Sequence, residues 1–437
     1  MRAWMDRLAD HSKAQLVLFT LYVMLTAGGL YFIPDSVTAF LLLLFSALIL
    51  YYLKWGIRTK WLIGLVIMAV IVPFAASHGP AYQSYMEVGT LVGIYVAMAL
   101  GLNIVVGFAG LLDLGFIAFF AVGAYVYGIF ASAQASKFMP LGHYPLPGDT
   151  FWLFIIAGAL LAALFGILLG IPVLRVRGDY LAIVTLGFGE IIRIVLNNLD
   201  KPINITNGSL GIASITAPEI FGIRIGQSSQ FYYIVLGIFL IVIYVVRKLE
   251  FSKLGRAWKA VRDNEIAAQA MGIPLVRTKL AAFAIGASFS GMMGVVFSAK
   301  QMFVDATSFT YLESTLVLVM VILGGMGSVP GVILGAAIVT ILNTQVLTEI
   351  SNWLTQLSTN GVLSIPAALS PSKMQRLIFG ILLIVFALYR PQGLIPHKNR
   401  PVDVPALRAK SAQKAAGAPA ERSALVKENP TSGGVDS

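Results

Sequence analysis

The sequence predicts an all-α fold, a polytopic transmembrane bundle of about 10 to 12 spanning helices. The first observation is composition: of 437 residues, 58% are hydrophobic and 12% are charged, and the mean hydropathy is +0.83. Soluble domains carry about 25% charged residues, so most of this surface is expected to face lipid. The second and third observations are the apolar runs and the basic residues between them.

Twelve apolar runs approach the roughly 20 residues that a spanning helix needs. They cover 14–33, 37–53, 61–77, 88–106, 116–131, 151–174, 180–197, 231–247, 280–299, 313–329, 332–350 and 375–390. The run 116–131 and the stretch 324–331 are short or rich in glycine, so some helices are expected to be broken or re-entrant. The first run is too long for a signal-peptide core and lacks a cleavage site, which predicts a retained span.

Basic residues collect in alternate connections and predict the orientation of the chain. The connection Arg247–Lys279 holds eight basic and three acidic residues. Twelve crossings put all the basic connections and both termini in the cytoplasm. The net charge of +11 is therefore ascribed to membrane orientation, with lipid rather than nucleic acid as the partner.

Several classes of chemistry find no support in the sequence. Cysteine is absent, which excludes disulfides and thiolate metal ligands, and the four histidines fall outside the apolar runs. There is no H-E-x-x-H spacing and no phosphate-binding loop. We therefore predict no catalytic residue, no metal and no cofactor.

The basic segment, residues 248–279, has the pattern of a docking element. Residues 256–271 favour a helix, which Gly272 and Pro274 would end. Four residues are spaced to share one small-residue face: Ala257, Val261, Ala268 and Met271. From the residues alone, docking into another protein's groove and lying on lipid headgroups remain equally open. Trp258 is the expected aromatic anchor of that surface.

Two glycine-rich stretches interrupt apolar runs and indicate a transport pathway or helix breaks. We call them the first break (103–116) and the second break (324–331). Small-residue packing between helices is the structural alternative. The residues singled out are Asn103, Gly107, Gly110, Asp113, Gly115, Gly324, Gly325 and Gly327. Charge bias places both breaks near the cytoplasmic face.

Glu190 and Arg193 are spaced to pair on one face of a helix inside an apolar run. Burial would make this intramembrane pairing close to obligatory. A structural role is favoured over one in gating.

Five stretches together resemble the branched-chain amino-acid permease family of ABC importers, in particular its LivM-like subunits. They are A-G-L-L-D-L-G-F-I-A-F-F-A-V-G-A-Y (109–125), R-G-D-Y-L-A-I-V-T-L-G-F-G-E-I-I-R (177–193), T-N-G-S-L-G-I (206–212), E-x-A-A-x-x-x-G (265–272) and G-G-M-G-S-V-P-G (324–331). The fourth departs from the family's E-A-A-x-x-x-G signature because Ile266 follows the glutamate and the Ile-x-Leu-Pro ending is missing. The resemblance covers 88–395.

The resemblance implies a non-enzymatic transport subunit of the bacterial inner membrane. Its implied partners are a homologous LivH-like permease, two cytoplasmic ATP-binding subunits and a periplasmic amino-acid-binding protein. The implied substrates are leucine, isoleucine and valine, with phenylalanine or other neutral amino acids. ATPase coupling is expected at Trp258, Glu265, Ala267, Ala268 and Gly272.

Three regions are expected: an N-terminal LivM-like extension with about three helices (1–87), a permease core (88–395) and a disordered cytoplasmic tail (396–437). Urea or short-chain amide importers share these motifs, although residues 1–87 favour the amino-acid branch. An ion-coupled secondary transporter is the remaining alternative, with Asp113, Glu190 and Glu313 as candidate coupling carboxylates.

Overall fold

A computed structural model describes residues 12–32, 37–53, 56–77, 82–139, 142–174, 176, 178–220, 222–359, 374–389 and 393–395. The predicted tail 396–437 lies outside the described residues, as do His11, His78 and His397.

The described residues form an all-α bundle, as predicted. The helices before the first break are α1 (Ser12–Phe32), α2 (Val37–Tyr52), α3 (Ile57–Val66), a π-helical turn (Ile67–Ile71), α4 (Val72–Ala76), α5 (Tyr82–Leu102) and a second π-helical turn (Asn103–Phe108). The next helices are α6 (Ile117–Phe130), α7 (Phe151–Val173), α8 (Asp179–Asn198) and α9 (Ser228–Glu250). The basic segment forms α10 (Lys253–Asp263) and α11 (Glu265–Ala270).

The remaining helices complete the bundle. They are α12 (Leu275–Gln301), α13 (Tyr311–Gly324), α14 (Val329–Ile341), a third π-helical turn (Leu342–Val346), α15 (Leu347–Thr359) and α16 (Gln375–Tyr389). Eight helical stretches of the described chain are long and apolar enough to cross a bilayer, and each of the twelve predicted runs overlaps a helix. The run 313–329 extends past the end of α13, because the second break interrupts it.

Short strands occur in two connections, one between α8 and α9 and the other between α12 and α13. They are β1 (Ile212–Ala213), β2 (Glu219–Ile220), β3 (Ile223–Arg224) and β4 (Phe303–Val304). β1 pairs antiparallel with β4, and β2 pairs antiparallel with β3.

Helix α6 is the broken segment that the short run 116–131 predicted. It has 14 residues, about 21 Å of helix, whereas the hydrocarbon core is about 30 Å thick. Most of its residues are buried, so protein rather than lipid surrounds this short helix.

Helix α12 lies at the centre of the core because glycines let its neighbours approach. A Cβ atom at Gly123 of α6 would lie 1.9 Å from the carbonyl oxygen of Gly291 in α12. A Cβ atom at Gly291 would lie 2.3 Å from the Ala162 Cβ and 2.5 Å from the Gly158 oxygen of α7. Backbones in such contact gain van der Waals packing, which drives helix association where lipid removes the hydrophobic effect.

The N-terminal helices have a separate hydrophobic cluster that contacts α5 and α9. The Phe40 ring stacks on Tyr85 with ring centroids 4.5 Å apart. The Tyr232 hydroxyl of α9 donates a 2.7 Å hydrogen bond to the Met68 carbonyl in the first π-helical turn. The predicted boundary at residue 87 falls inside α5, which begins at Tyr82.

Substituting Gly291 with alanine should destabilise the core. The added methyl group would overlap α7, and overpacking of this kind costs about 1–3 kcal/mol of the free energy of unfolding. Gly237→Ala in α9 is the matched control, since nothing lies within 4 Å of its Cβ position, and alanine favours a helix by about 0.5–1 kcal/mol. Thermal denaturation midpoints in detergent should fall for Gly291→Ala and not for Gly237→Ala. Equal midpoints for the two variants would refute this account of the packing.

Candidate functional site

The first break begins where α5 passes into the second π-helical turn, all six residues of which are buried. The backbone then turns at Gly110, whose φ is +72°, and reaches α6 without regular structure. Asp113 accepts a 2.9 Å hydrogen bond from the Gly115 amide, and Thr185 Oγ1 of α8 accepts one of 3.0 Å from Leu114. These side chains satisfy backbone groups that no helix covers.

The second break ends α13 at Gly324. Gly325 and Gly327 have φ angles of +116° and +82°, conformations that glycine adopts without a steric penalty. The amides of Leu394 and Ile395 donate to the last two carbonyls of α13 at 2.9 and 3.1 Å. The chain after α16 therefore returns to satisfy this helix end.

The two breaks meet through Asn103. Its Oδ1 accepts a 2.8 Å hydrogen bond from the Gly327 amide, although the two residues are 224 positions apart. A Cβ atom at Gly107 would lie 2.0 Å from that Oδ1 and 2.5 Å from the Gly327 nitrogen, so the contact needs glycine at 107. Within the described structure, Asn103 Nδ2 and Asp113 Oδ2 are buried and have no hydrogen-bond partner.

Arg262 of the basic segment lies between the two breaks. Its Nη1 donates a 2.5 Å hydrogen bond to the Gly107 carbonyl, a charge-assisted contact stronger than one between neutral groups. A Cβ atom at Gly110 would lie 2.5 Å from Arg262 Cγ, and one at Gly327 would lie 3.0 Å from Nη1. The glycines of both breaks thus make room for one arginine. No local sequence pattern identifies this contact, because Arg262 and Gly107 are 155 positions apart.

The prediction of one continuous helix over 256–271 is wrong, because Asn264 separates α10 from α11. The Asn264 side chain accepts a 2.9 Å hydrogen bond from the Ala267 amide, the N-cap contact that asparagine favours. The predicted end of the helix is confirmed: Gly272 has a φ of +82°.

Trp258 is not the exposed anchor that the sequence predicted. The side chain is 0% exposed, and its Nε1 donates a 2.8 Å hydrogen bond to the Thr278 carbonyl in the first turn of α12. Residues of this chain bury the ring, without a partner protein or lipid. The predicted small-residue face is also wrong, because Val261 and Ala268 are buried while Met271 is 83% exposed.

Apolar residues are exposed on α11 and on the turn that follows it. Ile266, treated as an insertion into the family signature, is 73% exposed. Ala267 is exposed as well. Glu265 forms a 2.7 Å ion pair with Lys279, whose side chain is 6% exposed. Glu265 therefore joins α11 to the start of α12 and is only partly available at the surface.

The predicted pair on α8 forms, but this chain does not bury it. Arg193 Nε donates to Glu190 Oε2 at 2.8 Å, and both side chains are about 30% exposed. The other candidate carboxylates also bond to neighbours, Asp113 to the Gly115 amide and Glu313 to the Tyr95 hydroxyl. Among the described residues, no group of three or more His, Cys, Asp or Glu could hold a metal ion.

A family model and several known proteins match this chain. Residues 84–387 match the family model described as the permease component of the branched-chain amino acid transport system. The chain is 37% identical over 359 residues to the high-affinity branched-chain amino acid transport system permease protein LivM of Escherichia coli (strain K12), covering 77% of this chain and 74% of that protein.

Two further relatives are also permease proteins of a branched-chain amino acid transport system. LivM of Salmonella typhimurium is 36% identical over 376 residues, covering 81% of this chain and 77% of the relative. The permease protein LivH of Escherichia coli (strain K12) is 24% identical over 267 residues, covering 58% of this chain and 81% of the relative. No solved structure matches the chain.

Replacing Arg262 with glutamine should loosen the first break. The shorter neutral side chain gives up the charge-assisted bond to the Gly107 carbonyl, which contributes about 1.5–3 kcal/mol. Hydrogen–deuterium exchange across residues 103–111 should therefore be roughly 10- to 100-fold faster. Arg256→Gln is the matched control, because Arg256 lies on the same helix and bonds locally to the Phe251 carbonyl. Unchanged exchange in Arg262→Gln would show that the contact does not hold the break.

Proposed function

The chain belongs to the family of branched-chain amino-acid transport permeases, and on this premise we propose that it is the membrane-spanning permease subunit of an ATP-driven ABC importer in the bacterial inner membrane. The proposed cargo is leucine, isoleucine and valine, with phenylalanine and other neutral amino acids as further substrates. The observation that carries the proposal is the 37% identity to a LivM permease over 77% of the chain.

ATP hydrolysis is assigned to two cytoplasmic ATP-binding subunits, because this sequence has no phosphate-binding loop. A periplasmic amino-acid-binding protein would deliver the substrate, and a homologous LivH-like permease would complete the pathway. The chain itself contributes no catalytic residue to this scheme.

We place ATPase docking on α11 and the turn that follows it. A short helix with exposed apolar residues can insert into a groove of another protein, and Ile266 and Met271 are 73% and 83% exposed. Ala267 lies on the same short helix, and Gly272 sets the direction of the chain behind it. Ala268 and Trp258 support the docking element from the inside.

Three contacts would transmit a movement of the docked ATPase to the membrane-spanning helices. Arg262 holds the Gly107 carbonyl in the first break, Glu265 pairs with Lys279 of α12, and Trp258 bonds to Thr278 of α12. A displacement of α10 and α11 would therefore reach both breaks and the central helix together. Alternating access is largely a rocking or gating of one helix bundle against another, and these three contacts would transmit such a motion.

The exposed face of α8 is proposed to meet the second permease. Ile183, Ile191 and Ile194 are 63%, 59% and 51% exposed on this helix, and the Glu190–Arg193 pair lies among them. Charged side chains are costly against lipid and usually face a bundle interior or a water-filled cavity. A second subunit covering α8 would supply that environment and would place the pathway between the two permeases.

Transport should require the partner proteins. Proteoliposomes that hold the complete complex and ATP on the ATPase side should accumulate labelled leucine, and excess isoleucine or valine should compete. Excess urea should not compete, which separates the amino-acid branch from amide importers. The chain alone should show neither ATP hydrolysis nor accumulation. Leucine uptake by the chain alone under a proton or sodium gradient would overturn the ABC assignment.

Docking should fail when a charge replaces the exposed apolar residue of α11. Ile266→Glu buries a carboxylate in the proposed groove and should weaken ATPase association at least about tenfold, the effect of losing an interface anchor. Gln269→Glu is the control because it adds the same charge at an exposed polar position of α11, and Ile266→Leu should retain binding. The measurement is the amount of ATPase that co-purifies from membranes with equal permease content. Full recovery with Ile266→Glu would remove α11 as the docking element.

A further inference from the structure

The ion pair of Glu190 and Arg193 on α8 uses only part of each charged group. Arg193 Nε donates a 2.8 Å hydrogen bond to Glu190 Oε2, and Nη2 lies 2.7 Å from the same oxygen. Within the described structure, neither Oε1 of Glu190 nor Nη1 of Arg193 has a partner. A carboxylate accepts hydrogen bonds on both oxygens, and a guanidinium donates from every nitrogen. The pair therefore has an acceptor and a donor edge left side by side.

The pair lies close to the middle of a membrane-spanning helix. α8 has 20 residues, so it is about 30 Å long, which matches the hydrocarbon core of a bilayer. Glu190 lies about 16 Å along this helix from Asp179. Ionisable residues at such depth are costly in lipid and mark the pathway of a substrate or an ion. Transporters bind their substrates near the bilayer midplane, which is where this pair lies.

The face of α8 that carries the pair is otherwise apolar and open. Gly187, Ile191 and Ile194 share this face, because positions three and four apart are neighbours on a helix. Ile191 and Ile194 are exposed, and a Cβ atom at Gly187 would meet nothing within 4 Å. One surface thus combines two opposite charges with apolar side chains and a gap beside Glu190.

The opposite side of α8 contacts the first break. Thr185 Oγ1 accepts a 3.0 Å hydrogen bond from the Leu114 amide. A Cβ atom at Gly115 would lie 2.0 Å from the Thr185 carbonyl oxygen. The first break is also the segment that bonds to Arg262. A movement of the basic segment would therefore reach the helix that carries the ion pair.

We propose that this face of α8 binds the zwitterionic backbone of the transported amino acid at the middle of the membrane. The inference rests on the proposed function and names the residues that contact the solute. The Nη1 edge of Arg193 donates to the α-carboxylate, a planar contact that a guanidinium favours, and Oε1 of Glu190 accepts from the α-ammonium group. An apolar side chain such as that of leucine lies against Ile191 and Ile194. The second permease closes the site.

The test uses the complete complex in proteoliposomes. Glu190→Gln/Arg193→Gln removes both charges, and Glu219→Gln/Arg224→Gln is the matched control, because it neutralises a Glu–Arg pair between β2 and β3, away from α8. Replacing both members of a structural pair is often neutral, whereas a binding site loses its ligand contacts. Per ATP hydrolysed, leucine uptake should fall at least about tenfold in the first variant, as expected for a lost charge-assisted hydrogen bond. The control should transport as the wild type does.

A photoreactive leucine with a diazirine in its side chain locates the solute. During turnover it should label the peptide containing Ile191 and Ile194 in wild type and control, and not in the doubly neutral variant. Excess leucine should block this labelling. Arg193→Lys keeps the positive charge but removes the planar donor edge, so it should reduce labelling and uptake as well.

The outcomes separate this site from the proposed function. Wild-type uptake by the doubly neutral variant or by Arg193→Lys would overturn the site and leave the importer assignment intact. Failure of the doubly neutral variant to co-purify the second permease would also overturn it, because the pair would then hold the two subunits together. No ATP-dependent leucine uptake by the wild-type complex would contradict the proposed function, and with it this site.

Discussion

Irregular backbone in a membrane protein is stable only where protein covers its polar groups, and both breaks depend on this constraint. In the first break, the Gly107 carbonyl accepts from Arg262. In the second, the amides of Leu394 and Ile395 cover the end of α13. Asn103 joins the two breaks, because it lies in the first break and its side chain accepts a hydrogen bond from the Gly327 amide in the second. Groups from three distant parts of the sequence thus form hydrogen bonds with the two interruptions.

The same constraint explains why glycine occurs where it does. At Gly325 and Gly327 the requirement is conformational, since both φ angles are positive. At Gly107 and Gly291 the requirement is space, since a methyl group would collide with Asn103 or with α7. Glycine thus permits chain reversal in the breaks and close helix approach around α12. The breaks and the glycine contacts of α12 are linked through the basic segment. Helix α12 begins within that segment, and Arg262 of the segment contacts the first break.

Much of the fold could be predicted from the sequence because hydrophobicity is a local property. All twelve apolar runs overlap helices, and the glycine after α11 has the expected left-handed conformation. The error over 256–271 was also local: the capping capacity of Asn264 was not weighed against helix propensity.

The candidate site was less predictable because its contacts join distant residues. Composition gives no sign that Arg262 reaches Gly107, 155 positions earlier. The prediction for Trp258 is wrong because a charged segment gives no local sign that the chain itself covers an aromatic ring. Burial of its ring depends on how α10 packs against α12, which helical periodicity does not specify. Ile266 departs from the family signature, and its exposure is a property of the packed structure that the signature does not specify.

The position of Trp258 also gives the molecule an intrinsic optical probe. Indole emission shifts to longer wavelength as water gains access to the ring, and here the ring is sealed between α10 and α12 with its nitrogen bonded to Thr278. Any separation of these helices during the transport cycle would change that emission at its source. Subtracting the spectrum of a Trp258→Phe chain would isolate the signal from the other five tryptophans, so that motion at this joint becomes visible without an attached dye.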